Sequence, residues 1–490
     1  MHNSQDLQKV LELRRAILGG DEKRLKAQRD AGKLTARERI EKIADPGSFM
    51  ELYALVSQNQ EGAGVVTGYA TIQERPVYLF AQDFTVHGGA MGAQQAAKIV
   101  KLLDMAQQTG APVLAVMDSA GVRIDEGALA MSAYSEIYQK MARMSGVCPM
   151  VALVLGPCIG GAALLSQLAD VAIVAEKAGQ LMVFGPQVMA AMNGLQVEPE
   201  KLGGAKVAAE MGACALTAAT EDEAIAQAKK VLSLLPSCNL EDSEIVDTDD
   251  MSRLLPAIDP SDADSLIKAL ADNGEALELY AAYQPAIRVF LARMGGRSVG
   301  LVAAYGKLTA GALQKAARFV RFMDCFGIPV ISLLNTSGVE VEGVKEQGWL
   351  FKAQSQLLYA YAEATVPKLS VVTGDAVGQA YVAMGGKANA DVTYAWPTAV
   401  ISAVTPEAAV AVLYQNEVKA DKELSPEEAR AKYADQYVAD VAGAVNAAKQ
   451  GMVDDIVEPQ KTRAMLISAM EMLASKRDSN PPKKHGNLPM

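Results

Sequence analysis

Apolar positions along this chain follow two periods, and the periods alternate. Leu7, Val10, Leu11, Leu13 and Ile17 recur at helical spacing until Gly19-Gly20 breaks the pattern, which predicts a first helix ending there. Thr35-Ala36-Arg37-Glu38 supplies a capping box for a second, short helix, so residues 5–45 read as helical. Val65-Val66-Thr67-Gly68-Tyr69-Ala70-Thr71-Ile72 and Pro76-Val77-Tyr78-Leu79-Phe80 read as paired strands around a polar turn. Beyond them the spacing predicts a helix over 94–107 and a strand over 113–117 that stops at Asp118-Ser119-Ala120-Gly121. A helix over 130–145 and a strand over 150–155 that stops at Gly156-Pro157 come next. Strand, loop and helix in that order are the grammar of an α/β fold.

The pattern then recurs. Val147-Cys148-Pro149 through Gly160-Gly161-Ala162 has a counterpart in Thr365-Val366-Pro367 through Gly378-Gln379-Ala380, an offset of 218 residues (367 − 149, 380 − 162). Upstream, residues 96–104 are answered by 316–324 and Ala111-Pro112-Val113 by Ile328-Pro329-Val330. Asp118-Ser119-Ala120-Gly121-Val122 is likewise answered by Asn335-Thr336-Ser337-Gly338-Val339. Strands are therefore expected at 330–334 and 369–372. At 490 residues the chain is too long for one hydrophobic core. The repeat predicts two domains, 1–245 and 246–490, divided after the break at Leu235-Pro236-Ser237 within the Asp-, Ser- and Pro-rich stretch 242–264. The tail 476–490 is polar and is expected on the surface.

Composition narrows the class. With 50% hydrophobic residues, 40 Gly and only 5% aromatic residues, the chain suits a tightly packed α/β protein. A net charge of −11 argues against a nucleic-acid partner, which would need clustered Lys and Arg. One basic cluster stands out against that charge: Lys23, Arg24, Lys26, Arg29, Lys33, Arg37 and Arg39, placed to meet an anionic ligand. Five cysteines (Cys148, Cys158, Cys214, Cys238, Cys325) form no CxxC or zinc spacing and read as buried thiols in a reducing compartment. The start lacks a signal-peptide pattern and no stretch of eighteen or more residues is uniformly apolar, so a cytoplasmic location is expected, with docking onto a membrane partner left open.

The glycine turns carry the chemistry. A strand ending in glycines at the mouth of a helix leaves N–H groups without intrahelical partners and favours negative charge. Two converging N–H groups, one near Val122 and one near Gly161, would form an oxyanion hole, with Val339 and Gln379 in the equivalent places of the second copy. His2 and His485 lie near the ends and His87 is the sole internal histidine, which reads as a polar loop residue. A His-centred triad or a His-rich metal site is therefore not expected, and neither a P-loop nor a Rossmann glycine motif is present.

Several motifs in order resemble one family. Lys33-Leu34-Thr35-Ala36-Arg37-Glu38-Arg39-Ile40, Gln82-Asp83-Phe84-Thr85-Val86, Gly156-Pro157-Cys158 with Gly160-Gly161-Ala162, Leu202-Gly203-Gly204-Ala205, Tyr394-Ala395-Trp396-Pro397-Thr398 and Lys483-Lys484-His485-Gly486-Asn487-Leu488-Pro489 are similar to the carboxyltransferase subunits of biotin-dependent acyl-CoA carboxylases and decarboxylases, of the propionyl-CoA carboxylase beta and methylmalonyl-CoA decarboxylase alpha type. The resemblance implies two tandem crotonase-like domains (ββα spirals) in a homo-oligomer, commonly a hexamer. The N domain would bind acyl-CoA and the C domain biotin carried on a separate carrier protein. The thioester hole then falls at Gly121, Val122, Gly160 and Gly161, and the biotin hole at Gly338, Val339, Gly378, Gln379 and Ala380. Lys33, Arg37 and Arg39 would meet the CoA phosphates or else serve a structural role on the helix surface, and Ala162 and Val382 would line the substrate pocket, the apolar Val382 suiting a short aliphatic acyl group. The freed biotin would serve as the base. The chain contains neither an ATP-binding carboxylase domain nor a Met-Lys-Met biotin site, so the biotin carboxyl carrier protein, and a biotin carboxylase or membrane decarboxylase subunits, would be partner chains.

Two turns depart from the family form. Ala120-Gly121-Val122-Arg123-Ile124-Asp125 stands where relatives read Gly-Gly-Ala-Arg-Ile-Gln, and Gln379 replaces a glycine, placing a side chain where close approach is expected. Two other readings stay open. One is a crotonase-like CoA-ester hydrolase, isomerase or biotin-independent decarboxylase using Asp125 or Glu126 as base, and the other is a noncatalytic carboxylase paralogue.

Overall fold

The computed structural model describes residues 2–58, 61–247, 249–341, 343 and 347–489. They form two compact units, Met1–Asp242 and Ser243–Met490. In the first, helices α1 (His2–Gly19), α2 (Glu22–Asp30) and α3 (Ala36–Ile43) precede the sheet. The expected capping box opens α3: Thr35 Oγ1 accepts from Glu38 N–H while the Glu38 carboxylate accepts from Thr35 N–H. An eight-stranded sheet follows, in the order β1 (Met50–Leu52), β2 (Val65–Ile72), β3 (Arg75–Gln82), β4 (Val113–Ser119), β5 (Met150–Ile159), β6 (Val171–Ala175) and β8 (Leu216–Ala218), with β7 (Gln180–Met182) paired to the end of β5. Gln73 and Glu74, at φ +52° and +65°, turn β2 into antiparallel β3, the left-handed pair that a two-residue hairpin requires.

From β3 onward the pairing is parallel, and the helices α4 (Ala93–Thr109), α5 (Ala128–Met144) and α6 (Gly161–Leu168) lie between successive strands. A parallel strand covered on both faces must be apolar throughout, and every residue of β4 is buried. Ile99, Leu102, Met117, Ile137 and Val154 meet in the core. After β7, α7 (Glu221–Leu234) packs against β5 and β6.

The second unit repeats this arrangement. Its sheet runs β9 (Ala276–Leu279), β10 (Ile287–Met294), β11 (Arg297–Leu308), β12 (Val330–Val339), β13 (Lys368–Val377), β14 (Val392–Ala395) and β16 (Asp455–Ile456), with β15 (Val400–Ser402) paired to the end of β13. The helices α8 (Ala310–Cys325), α9 (Gln347–Glu363) and α10 (Gln379–Met384) take the places of α4, α5 and α6.

Four expectations change. The strands predicted to stop at Gly156-Pro157, at 334 and at 372 run on to Ile159, Val339 and Val377. Their ends find a partner the local pattern does not show: Pro157–Ile159 pairs with β7 and Asp375–Val377 with β15, after register shifts at the ends of β4 and β12. Cys325 is exposed, whereas the other four cysteines are buried. The stretch 242–264 packs onto the second unit, with Val246 N–H donating to Gly296 O, Leu255 N–H to Gln460 O and Asn335 Nδ2 to Pro260 O. The tail is exposed but tied to α9, through Asn480 Nδ2 to Glu363 O and Gln356 Nε2 to Pro489 O, both 2.8 Å, and Met490 lies outside the described residues. Among the described residues no helix is long and apolar enough to cross a membrane.

Candidate active site

β4 and β5 end side by side, and a glycine turns each end. Gly121 has φ +114° and Gly160 φ +60°, backbone geometry that a residue with a Cβ rarely adopts. The turns touch, since a Cβ on Gly121 would stand 3.4 Å from Ile159 O. Hydrogen-bond accounting then separates the four expected donors. Gly121 N–H is used by Ser119 Oγ at 3.2 Å and Gly160 N–H by Met182 O at 2.8 Å. Met91 N–H donates to Gly121 O and Arg123 N–H to Met91 O, each at 2.8 Å, which bridges Met91 to the turn and directs Val122 N–H away from it. Among the described residues Val122 N–H and Gly161 N–H have no partner. Gly161 is the first residue of α6, whose N-terminal N–H groups are unpaired by geometry.

The second unit builds the same device. Gly338 and Gly378 take φ +102° and +66°, Gly338 N–H donates to Thr336 Oγ1 at 3.2 Å, and Gly378 N–H donates to Ser402 O at 2.9 Å. Glu340 N–H donates to Leu308 O as Arg123 N–H does to Met91 O, so Val339 N–H faces away from β11. Gln379 opens α10 as Gly161 opens α6. Its side chain is exposed, so the expected obstruction does not fill the turn. Ala162 and Ala380 are fully buried beneath their turns, while Val382 is exposed one turn along α10.

The surroundings differ between the copies. Below Gly161 lie Tyr134 and Tyr138 of α5, and a Cβ on Gly161 would meet Tyr134 Cζ at 2.5 Å. Glycine is required there for space. At the end of β4, the Asp118 carboxylate is buried and accepts from Lys33 Nζ at 2.8 Å, Arg39 Nη1 at 2.8 Å and Gln28 Nε2 at 3.2 Å. Gly156 admits it, since a Cβ there would sit 2.0 Å from Asp118 Oδ1. The counterpart in β12 is neutral: Asn335 Oδ1 accepts from Asp375 N–H at 3.0 Å, and Gly374 leaves it the same room.

This network reassigns the basic cluster. Arg39 is wholly buried, held by Glu221, Asp118 and Leu155 O, so it braces α3 against the sheet and offers nothing to a phosphate. Burial opposes its charge, but Glu221 and Asp118 outweigh that and keep its pKa above the ordinary value. Arg37 forms a two-point pair with Glu51 at 2.8 and 3.1 Å. Lys33 alone of the three lines a cavity of about 580 Å³, with Arg24, Gln28, Phe84, His87, Gly88, Pro157, Lys177 and Gln180. Burial pulls the Lys33 pKa down and Asp118 opposes the shift. The cavity adjoins the turns, because Pro157 belongs to β5 and Gly88 O accepts from Ala120 N–H.

The acids proposed as an internal base are engaged elsewhere. Asp125 is exposed and paired with Arg123 at 2.9 and 2.5 Å, whose hydrogen bonds hold its pKa at about 2. Glu126 accepts from Ala93 N–H at 2.7 Å and so caps α4. Nothing local in the sequence marks Tyr134, Tyr138, Lys177 or Asp118 as functional, and His87, which reads as a loop residue, lines the cavity. Two tyrosines at i, i+4 look like core residues until a glycine is found above them.

A family model described as the carboxyl transferase domain matches residues 27–488. The chain is 40% identical to the methylmalonyl-CoA decarboxylase subunit alpha of Veillonella parvula, over 98% of this chain and 97% of that one. It is 38% identical to the propionyl-CoA carboxylase beta chain of Saccharopolyspora erythraea, over 97% and 94%. The crystal structure of a transcarboxylase 12S hexamer with hydrolysed methylmalonyl-CoA bound superposes with a TM-score of 0.92 at 38% identity, covering 99% of this chain and 98% of that one.

Proposed function

The chain belongs to the carboxyl transferase family, and from that premise we propose that it moves CO2 between carboxybiotin and the α-carbon of a short-chain acyl-CoA. It is an enzyme of the biotin-dependent carboxylase type, built from two tandem crotonase-like α/β domains. The carrying observation is the pair of unpartnered N–H groups at Val122 and Gly161, with the same turn geometry rebuilt in the second unit. Val122 and Gly161 hold the thioester oxygen as it gains enolate charge, each donor contributing roughly 10²–10³ in rate. The cavity lined by Lys33, Arg24 and Lys177, with His87 beside them, takes the anionic end of CoA, which the overall charge of −11 would otherwise repel.

The second pair of turns fits a ureido oxygen: Gly378 lets the backbone approach closely, the Gln379 side chain is exposed, and α10 opens with an unpaired N–H. Biotin, when bound, brings the CO2 and, once free of it, a basic nitrogen for the α-proton. Val339 and Gln379 N–H would hold its oxygen. The Arg123 pair leaves Asp125 a poor base, which favours this reading over an internal-base hydrolase or isomerase.

The enzyme acts on acyl-CoA as a homo-oligomer, and we assign it a hexamer served by a biotin carrier with either a biotin carboxylase or a membrane decarboxylase. The test incubates the pure protein with free biotin and malonyl-CoA or methylmalonyl-CoA and follows CO2 release. Biotin-dependent release is expected. Equal release without biotin would point to the internal-base reading, and none across a wider acyl-CoA panel to a noncatalytic paralogue.

A further inference from the structure

Two tyrosines beneath the first pair of turns are used by neither donor directly. Tyr134 and Tyr138 lie one turn apart on α5, their rings stacked with centroids 5.5 Å apart. Tyr134 Oη donates to Gly121 O at 3.0 Å. Tyr138 Oη donates to Gly161 O at 3.0 Å. Burial pushes the Tyr134 hydroxyl well above the usual phenol range, so it remains a neutral donor.

The peptide group is planar, so holding its carbonyl aims its N–H. Gly121 C=O and Val122 N–H belong to one peptide plane, and Tyr134 grips its carbonyl side. Gly161 C=O and Ala162 N–H belong to another, and Tyr138 grips its carbonyl side. That second plane follows Gly161 directly and ties the start of α6 to α5. A hydrogen bond accepted by the Gly121 carbonyl also polarises the Val122 N–H across the same plane. We infer that Tyr134 and Tyr138 are positioning residues of the thioester site, Tyr134 setting the direction of the Val122 N–H and Tyr138 anchoring the first residue of α6, from a single helix. Among the described residues the second unit has no such clamp: the buried Tyr361 of α9 turns its hydroxyl to Ser332 at 2.8 Å, and Gly338 O meets Thr336 Oγ1 at 3.4 Å.

The inference rests on the proposed function, and its test separates the two. Tyr134→Phe and Tyr138→Phe are assayed in the full-length protein for biotin-dependent CO2 release from methylmalonyl-CoA. CoA-binding stoichiometry counts intact sites, and amide hydrogen exchange is read over 120–123 and 160–163. Tyr134→Phe is expected to lower kcat about tenfold or more with KM within about twofold, to keep full CoA stoichiometry and to speed exchange at both turns. Tyr138→Phe is expected to act in the same sense but less, because the Gly161 carbonyl it frees lies in the peptide plane of neither donor. Wild-type kcat with unchanged exchange overturns the inference, as does a kcat loss matched by an equal loss of CoA sites. If the wild type itself releases no CO2, the proposed function has failed and the exchange at the two turns alone decides the positioning role.

Discussion

The turns at Gly121 and Gly160 and those at Gly338 and Gly378 share their backbone and differ in nearly everything around it. In both, a hydroxyl two residues upstream, Ser119 or Thr336, takes the first glycine's N–H, and a carbonyl of the short off-path strand, Met182 O or Ser402 O, takes the second's. Side chains then diverge. The first copy sets a buried Asp118 between two cations and a tyrosine pair under Gly161, whereas the second has a neutral Asn335 and an exposed Gln379. The lesson is that main-chain hydrogen bonds set the turn and the side chains set its surroundings. A duplicated unit can keep the first and change the second.

Making the first copy resemble the second tests that most sharply. Gly161→Gln should cost about 10²–10³ in biotin-dependent decarboxylation, since its Cβ would collide with Tyr134, while Gln379→Gly should change the rate by no more than about threefold. Equal losses in the two variants would remove the distinction between the sites. Next in size, Asp118→Asn should lower stability by about 2–3 kcal/mol, read from the urea midpoint. Asn335 shows that the fold accepts an amide at this place, but Lys33 and Arg39 would lose their shared counter-charge, only Arg39 keeping Glu221. An unchanged midpoint would mean that the charge does not hold α2 and α3 to the sheet.

Lys33→Met should raise KM for the acyl-CoA about tenfold with kcat within about twofold, the signature of lost ground-state binding. A fall in kcat at constant KM would take the cavity out of CoA binding. The smallest effect should be equal in both halves. Lys98 donates to Val65 O from α4 and Lys315 to Tyr283 O from α8, and burial lowers each pKa to about 8. The unfolded chain, with its lysines at 10.5, then holds more protons between about pH 8 and 10.5, so each lysine makes stability rise with pH across that window. Lys98→Met and Lys315→Met should each flatten the rise by about 1 kcal/mol. A stability gap from wild type that stays constant between pH 8 and 10 would rule this out.

The repeat, the α/β class, the capping box on α3 and the glycine turns were all legible in the chain, because each is set by contacts within a few residues or by a pattern that recurs. The full strand lengths were not, since Pro157–Ile159 and Asp375–Val377 pair with strands 23 and 25 residues further on (180 − 157, 400 − 375). Nor was the fate of the basic cluster legible. Lys33, Arg37 and Arg39 look alike in sequence, yet Arg39 meets Glu221 from a helix 182 residues away and is consumed by the fold, while Lys33 reaches the cavity wall.

By itself, then, the sequence determined that two glycine-turned units exist and where their backbone donors must lie, because φ preference and helix-end geometry are local. Only the tertiary structure decided which donors remain free, which cations are already paired and why Gly161 cannot be glutamine when Gln379 can. Those outcomes depend on hydrogen bonds and van der Waals contacts between residues far apart in the chain, and one such neighbour, Tyr134 or Asp118, changes what an identical turn can do.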